Sequence, residues 1–129
     1  MRYVYPAVFS KEEIGYSVYF PDIEECVTCG DDLADAIEMA QDALALILYE
    51  YEDKGKPAPD VSNAEDIPLE TGEFVNYIVA DTIGYRKRFN KKAVKKTLTI
   101  PEWLNEMAVK ADINFSQTLQ EALEEKLKV

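Results

Sequence analysis

Histidine is absent from the 129 residues of this chain. It is the commonest general base near neutral pH and a frequent zinc ligand, so its absence weakens hypotheses of acid–base catalysis and zinc binding. Cysteine is almost absent, since Cys26 and Cys29 are the only two and form a C-x-x-C pattern. A structural zinc site needs four ligands, and one chain offers no second pair. We therefore expect no metal, no cofactor and no catalytic residue, and two reduced thiols on opposite faces of a strand.

Long apolar runs are also missing. No stretch approaches the roughly 18 residues that can cross a bilayer, and the first residues lack the length and small-residue cleavage site of a signal peptide. The sequence therefore predicts a cytoplasmic protein without a membrane partner. The hydrophobic content of 47% is ordinary for a globular protein, and the length allows one domain with an appendage or two small domains.

Basic residues are scarce in most of the chain and concentrated in one segment. Residues 1–80 carry 18 acidic and 4 basic side chains, a net charge of −14. Residues 81–101 carry 1 acidic and 7 basic side chains, a net charge of +6, and residues 102–129 have a net charge of −3. The first part should attract a basic partner and repel nucleic acid, whereas the basic segment can neutralise phosphates. An alternative for the acidic part alone is that its charge only keeps the protein in solution.

Alternation of polar and apolar residues predicts an α+β first domain over residues 1–80, in the order β-β-β-α-β. The strands are expected at residues 2–9, 14–20, 26–29 and 74–80. A long helix is expected from about residue 32 to residue 54, because Asp32 can cap its start, Asp35 follows three residues later and Gly55 suits its end. Residues 81–93 are expected to form a basic linker, with no structure assigned.

The last third of the chain, residues 94–129, predicts a strand followed by two short helices. From Lys95 to Ile100 polar and apolar residues alternate, and Pro101 can open a helix that runs to about Ala111. Ser116 is the expected N-cap of the second helix. A segment of this length cannot bury a core alone. Two copies can, if their strands pair into an antiparallel ribbon of the kind that enters a DNA major groove.

The ribbon hypothesis assigns roles to particular side chains. Lys95, Thr97 and Thr99 would face the DNA bases; alternatively they are ordinary exposed strand residues. Lys96 points to the core side and would have to bend towards a phosphate. At the start of the second helix, a phosphate could meet Ser116 and the backbone amides of Gln117 and Thr118, although simple capping also explains the serine. The expected dimer core consists of Leu98, Ile100, Trp103, Leu104, Leu119 and Leu123.

Two runs carry a family resemblance. Tyr16-Ser17-Val18-Tyr19-Phe20-Pro21-Asp22-Ile23 is followed by Cys26-Val27-Thr28-Cys29-Gly30-Asp31-Asp32-Leu33, and then by Ala36 and Ala43 in the long helix. Together they resemble the HicB-type antitoxins, and the tail is similar to the ribbon-helix-helix variant of that family. The resemblance covers roughly residues 1–60 and 95–127. Cys29 departs from the pattern, because a polar residue is more usual there.

The resemblance implies a partial RNase H-like first domain without its catalytic carboxylates and a ribbon-helix-helix (β-α-α) tail. It implies binding to a HicA-like toxin, a small basic ribonuclease that cleaves mRNA, and repression of the antitoxin's own operon through double-stranded operator DNA. A homodimer is expected, with a tetramer left open. Acids on turns and one exposed aromatic are the candidate toxin contacts, although solvated acidic loops are the default alternative. They are Glu12, Glu13, Tyr19, Asp22, Glu24 and Glu25.

Two other functions compete with this interpretation. The chain could be a solitary DNA-binding regulator that has no toxin partner. It could also be a hydrolase that uses paired carboxylates and a metal, with Asp31, Asp32 and Asp35 as the candidate acids. Capping of a helix start explains these three residues without a metal, and a metal site needs carboxylates that converge from separate elements. We therefore predict that the chain is not an enzyme.

Overall fold

The computed structural model describes all 129 residues and divides them into two compact units, Met1–Lys91 (unit 1) and Lys92–Val129 (unit 2). Unit 1 contains four strands and two α-helices in the order β1, β2, β3, α1, β4, α2, with a short 3₁₀ helix at Ala64–Asp66 between α1 and β4, and unit 2 contains two α-helices. The strands are β1 (Arg2–Lys11), β2 (Tyr16–Phe20), β3 (Ile23–Gly30) and β4 (Glu73–Asp81). The helices are α1 (Leu33–Asp53), α2 (Thr82–Phe89), α3 (Glu102–Lys110) and α4 (Phe115–Leu127).

The four strands form one antiparallel sheet in the order β3-β2-β1-β4. Strand β1 pairs with β4 from Arg2 to Ser10, but with β2 only from Val8 to Lys11. Pro6 therefore lies where β1 has a single neighbouring strand, which is where a residue without an N–H is tolerated. The β-β-β-α-β order agrees with the order expected from the sequence.

Helix α1 covers one face of this sheet. Its buried side chains recur at helical spacing and pack on alternate residues of the strands, so the core lies between one helix and one sheet face. The helical set is Ala36, Ala40, Leu44, Ala45, Leu48 and Tyr51, and the sheet set is Tyr5, Ala7, Phe9, Val18, Phe20, Ile23, Cys26, Ile78 and Ala80. Gly30 allows the close approach of β3 to α1, since a Cβ there would lie 2.3 Å from the Ala36 nitrogen.

The start of α1 follows the expected capping pattern with one difference. The Asp32 side chain accepts a hydrogen bond from the Asp35 backbone N–H at 2.8 Å. The Asp35 carboxylate in turn accepts from the backbone N–H of Asp31, one residue earlier than in a standard capping box. Gly55 follows the helix with a φ of 66°. These local bonds occupy the carboxylates of Asp32 and Asp35, two of the three candidate acids of the hydrolase hypothesis.

Residues 81–93 are not simply a linker, because Thr82–Phe89 form helix α2 within unit 1. The Asp81 side chain caps this helix by accepting from the Ile83 backbone N–H at 3.1 Å. The unit boundary accordingly falls after Lys91 rather than after residue 80. Eight residues with three consecutive basic side chains have little apolar periodicity, so the sequence pattern gave no signal for this helix.

Helix α2 is held to α1 and β1 through the carboxylate of Glu52. It accepts hydrogen bonds from the Tyr3 hydroxyl at 2.8 Å, the Thr82 hydroxyl at 2.9 Å and the Arg86 guanidinium at 3.1 Å. Arg86 also donates to Asp53 at 3.0 Å. Burial opposes the ionisation of Glu52, but the three donors outweigh it and lower the pKa of Glu52. Burial and the bond to Glu52 raise the pKa of Tyr3 to about 12.

Strands β2 and β3 differ in length from the expected ones. Strand β2 begins at Tyr16 rather than at residue 14, because the Glu12 N–H bonds the Gly15 carbonyl in a tight turn. Ile14 lies in that turn and is 86% exposed, so it does not belong to the core face. Strand β3 begins at Ile23 and includes both cysteines, which are free. Cys26 is buried and Cys29 is exposed, as expected for opposite faces.

Unit 2 consists of an extended segment and two helices. Residues 90–101 have no regular secondary structure in the single chain, so the expected strand from Lys95 to Ile100 has no hydrogen-bonded neighbour here. Helix α3 agrees with the expected helix to within one residue. Helix α4 begins at Phe115, and its N-cap is Asn114, whose side chain accepts from the Gln117 N–H at 3.0 Å. Ser116 is therefore not the N-cap, since asparagine caps equally well and precedes it.

Replacing Glu52 with alanine should destabilise unit 1 by about 1–3 kcal/mol, because Tyr3, Thr82 and Arg86 would each lose an acceptor. The free energy of unfolding from urea titration measures the effect. Since the pKa of Glu52 is lowered in the folded chain, its contribution is complete above its ordinary pKa of 4.5 and disappears as the pH falls through the folded value. The difference between the variant and the natural chain should therefore shrink in acid.

Glu38→Ala is the matched control for this prediction. Glu38 lies on α1 as an exposed residue, and none of the hydrogen bonds or salt bridges of α1 involves its side chain. Its replacement should change the free energy of unfolding by less than about 0.5 kcal/mol at any pH. Equal losses in the two variants would contradict the role assigned to Glu52.

Candidate binding surfaces

The sheet face opposite α1 carries apolar side chains in rows. Register places Val8, Tyr19, Val27 and Val75 in one row across all four strands. The next rows along β1 and β4 pair Pro6 with Tyr77, then Val4 with Val79. We call this surface the outer sheet face and define it by the six of these residues that are exposed or half-buried: Val4, Tyr19, Val27, Val75, Tyr77 and Val79.

Polar rows bound the outer sheet face at both ends. At one end, Glu73, Ser10, Ser17 and Cys29 lie side by side across the sheet. At the other end, Arg2 lies opposite Asp81, whose carboxylate is already used as the cap of α2. The apolar rows therefore contain no charged residue and are framed by charged ones.

The β1–β2 turn lies at one end of this face. Three carboxylates form an acidic rim at that end: Glu12, Glu70 and Glu73. Glu12 accepts from the Ser17 hydroxyl at 2.9 Å. Glu73 accepts from the Glu70 backbone N–H at 2.8 Å. Burial, followed by the negative charges of Glu73 and Glu70, raises the pKa of Tyr19.

The acids that the sequence suggests for a basic protein partner differ in availability. Asp22 accepts from both the backbone N–H and the hydroxyl of Ser62, so it fixes the loop after α1. Glu25 accepts from the Tyr51 hydroxyl; this bond is the main reason that the pKa of Glu25 is lowered and that of Tyr51 is raised to about 12. These two acids are thus occupied within unit 1.

The remaining candidates are accessible. Glu12, Glu13 and Glu24 are exposed, and Tyr19 stands on the outer sheet face. The residues that sequence reasoning missed are the apolar ones around Tyr19, together with Glu70 and Glu73. The sequence carries a signal for some of these residues, because Val75, Tyr77 and Val79 alternate with the buried Ile78 and Ala80 along β4.

The basic segment offers lysines rather than arginines for phosphate contact. Arg86 is paired with Glu52 and Asp53, and the guanidinium of Arg88 lies 3.8 Å from the Asp42 carboxylate. The lysines of the segment are exposed and form no salt bridge. They are Lys87, Lys91, Lys92, Lys95 and Lys96.

No side chain in unit 2 is buried. Ala108 and Leu119 are half-buried, and every other residue from Lys92 to Val129 is exposed. Trp103, the only tryptophan of the chain, is 63% exposed. Soluble proteins rarely leave so many neighbouring apolar side chains in water, and such a surface indicates a partner.

The extended segment and α4 enclose two open grooves within unit 2. One is lined by Lys96, Leu98 and Ile100 together with Phe115, Ser116, Thr118 and Leu119. The other is lined by Lys95, Lys96 and Thr97 together with Ser116, Leu119 and Leu123. Most of the expected DNA-contacting residues are thus close together, whereas Thr99 and Gln117 line neither groove.

The expected phosphate seat at α4 needs correction. The Gln117 backbone N–H is taken by the Asn114 side chain, and its side-chain amide donates to Glu121 at 3.2 Å. The Thr118 N–H makes the first helical bond, to the Asn114 carbonyl at 3.0 Å. The amides of the first turn that have no such partner belong to Phe115 and Ser116, since the first donors of a helix have no acceptor within it.

No three acidic or cysteine side chains converge in a way that could hold a metal ion. No helix is both long enough and apolar enough to traverse a lipid bilayer.

Comparison with known proteins adds independent findings. Residues 5–122 match the model of the HicB_like antitoxin of bacterial toxin-antitoxin system. Antitoxin HicB 2 of Photorhabdus laumondii is 29% identical over 100 residues, which are 76% of this chain and 72% of that protein.

Two solved structures are similar across the fold. A chain of a toxin–antitoxin complex from Streptococcus pneumoniae is 26% identical, with a TM-score of 0.65 over 98% of this chain and 99% of that one. A chain of the HicA3 and HicB3 toxin–antitoxin complex is 28% identical, with a TM-score of 0.52 over 61% of this chain and 99% of that one. With nearly the whole chain matched by the family model, this protein belongs to the HicB-like antitoxin family of bacterial toxin–antitoxin systems.

Proposed function

We propose that this chain is the antitoxin of a type II pair, that unit 1 neutralises a small basic HicA-type ribonuclease by direct binding, and that unit 2 dimerises and represses the operon. The observation that carries this division is the segregation of charge and apolar surface. Residues 1–80 have a net charge of −14, whereas the segment that leads into unit 2 has a net charge of +6. One polypeptide thus offers one surface for a basic protein and another for phosphates.

Binding of the toxin by unit 1 is supported by size as well as charge. The chain of the HicA3 and HicB3 complex aligns with 61% of this chain, a share too large for the 38 residues of unit 2 alone. Both solved relatives come from complexes of a toxin with an antitoxin. Carboxylates that occupy the RNA-binding surface of a ribonuclease exclude the phosphates of its substrate. Neutralisation by this route needs no catalytic residue in the antitoxin.

We infer that unit 2 is a ribbon-helix-helix module and that unit 1 has a partial RNase H-like fold. The extended segment from Lys95 to Ile100 has free backbone hydrogen-bonding groups that a second copy of the segment can satisfy. Pairing of two copies would cover Leu98 and Ile100 and set the helices of two chains against each other. The homodimer would then present Lys95, Thr97 and Thr99 to operator DNA. These activities belong to a protein of the cytoplasm.

Toxin neutralisation is tested with the purified chain and the HicA-type protein encoded beside it. We expect a stable complex, loss of RNA cleavage at equimolar antitoxin, and an association rate that falls steeply with salt because opposite charges steer the encounter. Size-exclusion chromatography and a fluorescent RNA substrate measure the two effects. Full ribonuclease activity in the presence of excess antitoxin would refute the function, and DNA binding without a protein partner would favour the solitary regulator.

Dimerisation is tested through Trp103. If a second copy covers unit 2, the emission of this tryptophan should shift to shorter wavelength as the protein concentration rises, with the same midpoint as the mass change in analytical ultracentrifugation. Leu104→Asp should abolish both transitions, because it places a charge among the apolar side chains of α3. Lys110→Asp, on the same helix, is the control and should leave them in place. A monomer with unchanged emission at every concentration would contradict the proposal.

Base contact is tested by Thr97→Ala combined with Thr99→Ala. We expect a loss of about 1–3 kcal/mol per contacted base in operator affinity, little change in binding to unrelated DNA, and an intact dimer. Lys91→Ala combined with Lys92→Ala is the matched comparison. It should weaken binding to all sequences equally and reduce the salt dependence. An operator affinity unchanged by the threonine pair would rule out the assignment.

A further inference from the structure

The outer sheet face has the composition of an interface rather than of a solvated surface. An antiparallel sheet with one open side normally alternates apolar residues on the core face with polar residues on the other. In unit 1 valine and tyrosine occupy the open side in three successive rows. Val27 is 63% exposed and Tyr77 is 49% exposed, although the Ala64 backbone N–H in the loop after α1 donates to the Tyr77 hydroxyl at 3.2 Å. Contiguous exposed patches of this kind mark sites of protein association.

The charges around this face determine which partner fits it. The acidic rim of Glu12, Glu70 and Glu73 borders the row that contains Tyr19 and Val27. Basic residues are few in the part of the chain that forms the sheet and α1, since residues 1–80 contain only 4 of them. Unit 1 carries 19 acidic and 8 basic side chains, so a second copy of it would bring a net charge of −11 against another of −11, which disfavours close approach. A basic protein would meet no such repulsion.

We propose that the outer sheet face is the docking surface for the basic ribonuclease toxin. The apolar rows would bury the partner's apolar side chains, and the acidic rim would pair with its lysine or arginine residues at the edge. An apolar centre with a charged border is the usual arrangement of a protein interface. This inference deepens the proposed function and rests on it. It differs from the sequence-based assignment, which places the toxin contacts on the acidic turns.

The chain contains its own reporter for this face. Cys29 lies opposite Ser17 in the row next to Val27 and is exposed, so alkylating reagents can reach its thiol. Cys26 is buried, and burial raises the pKa of its thiol to about 12, so it should not react in the folded chain. Iodoacetamide labelling of the full chain, alone and in its purified toxin complex, is followed by peptide mass spectrometry. We expect Cys29 to react at least tenfold more slowly in the complex.

Insertion of a positive charge tests the same surface without the thiol. Val27→Lys places a lysine in an apolar row of the proposed interface, on the edge strand β3, and we expect the dissociation constant of the toxin complex to rise at least tenfold. Met39→Lys is the matched control, because Met39 is also an exposed apolar residue, 42% exposed, but lies on α1. It should bind toxin like the natural chain. Circular dichroism melting of both variants establishes that each remains folded.

The outcomes separate this inference from the proposed function. In one outcome the complex forms normally, Cys29 stays fully reactive in it, and Val27→Lys binds the toxin like Met39→Lys. That outcome would overturn the docking surface and leave the antitoxin function intact. Protection of Cys29 in the free chain that grows with protein concentration would assign the face to a second copy, which also overturns the inference. Failure of the natural chain to bind or inhibit the toxin would refute the proposed function itself.

Discussion

One helix can cover only one face of a sheet, and unit 1 has one long helix. The buried stripe of α1 from Ala36 to Tyr51 meets alternate residues of every strand, so the core is complete on that side. The residues between them project to the other side by the geometry of the strand. A second covering layer would have made unit 1 an ordinary closed domain. Its absence leaves six apolar side chains of that face exposed or half-buried.

Charge in this chain is organised by which groups are already paired. Arg86 belongs to the fold, since its guanidinium joins Glu52 and Asp53 and holds α2 against the end of α1. The exposed lysines from Lys87 to Lys96 have no such partner and can release counterions on a phosphate backbone. A charge count from the sequence treats all seven basic side chains of residues 81–101 alike. The structure pairs Arg86 within the fold, so the charge available to a nucleic acid is smaller than the composition indicates.

Most of unit 1 was predictable because its signals are local. Alternation marks the strands, and Asp32 and Gly55 mark the ends of α1 through their own backbone requirements. Helix α2 was not predictable, since its stability comes from Glu52, thirty residues away, and from the tilted ring contacts of Tyr85 with Tyr49 and Phe89. The cap of α4 was misassigned because Asn114 and Ser116 have similar capping preferences. The outer sheet face was largely missed, because a surface depends on register between strands that are distant in sequence.

The state of unit 2 connects stability to regulation. With no buried side chain, unit 2 gains little hydrophobic free energy as a single copy, whereas ordering its residues costs conformational entropy. In the proposed dimer the paired strands, the core and the DNA-contacting surface form together. None of them exists when the protein concentration is too low for dimerisation. Unit 1 has its own core and does not depend on that step. Under the proposed function, unit 1 would bind the toxin even in a monomer, whereas repression would begin only once enough antitoxin had accumulated to dimerise.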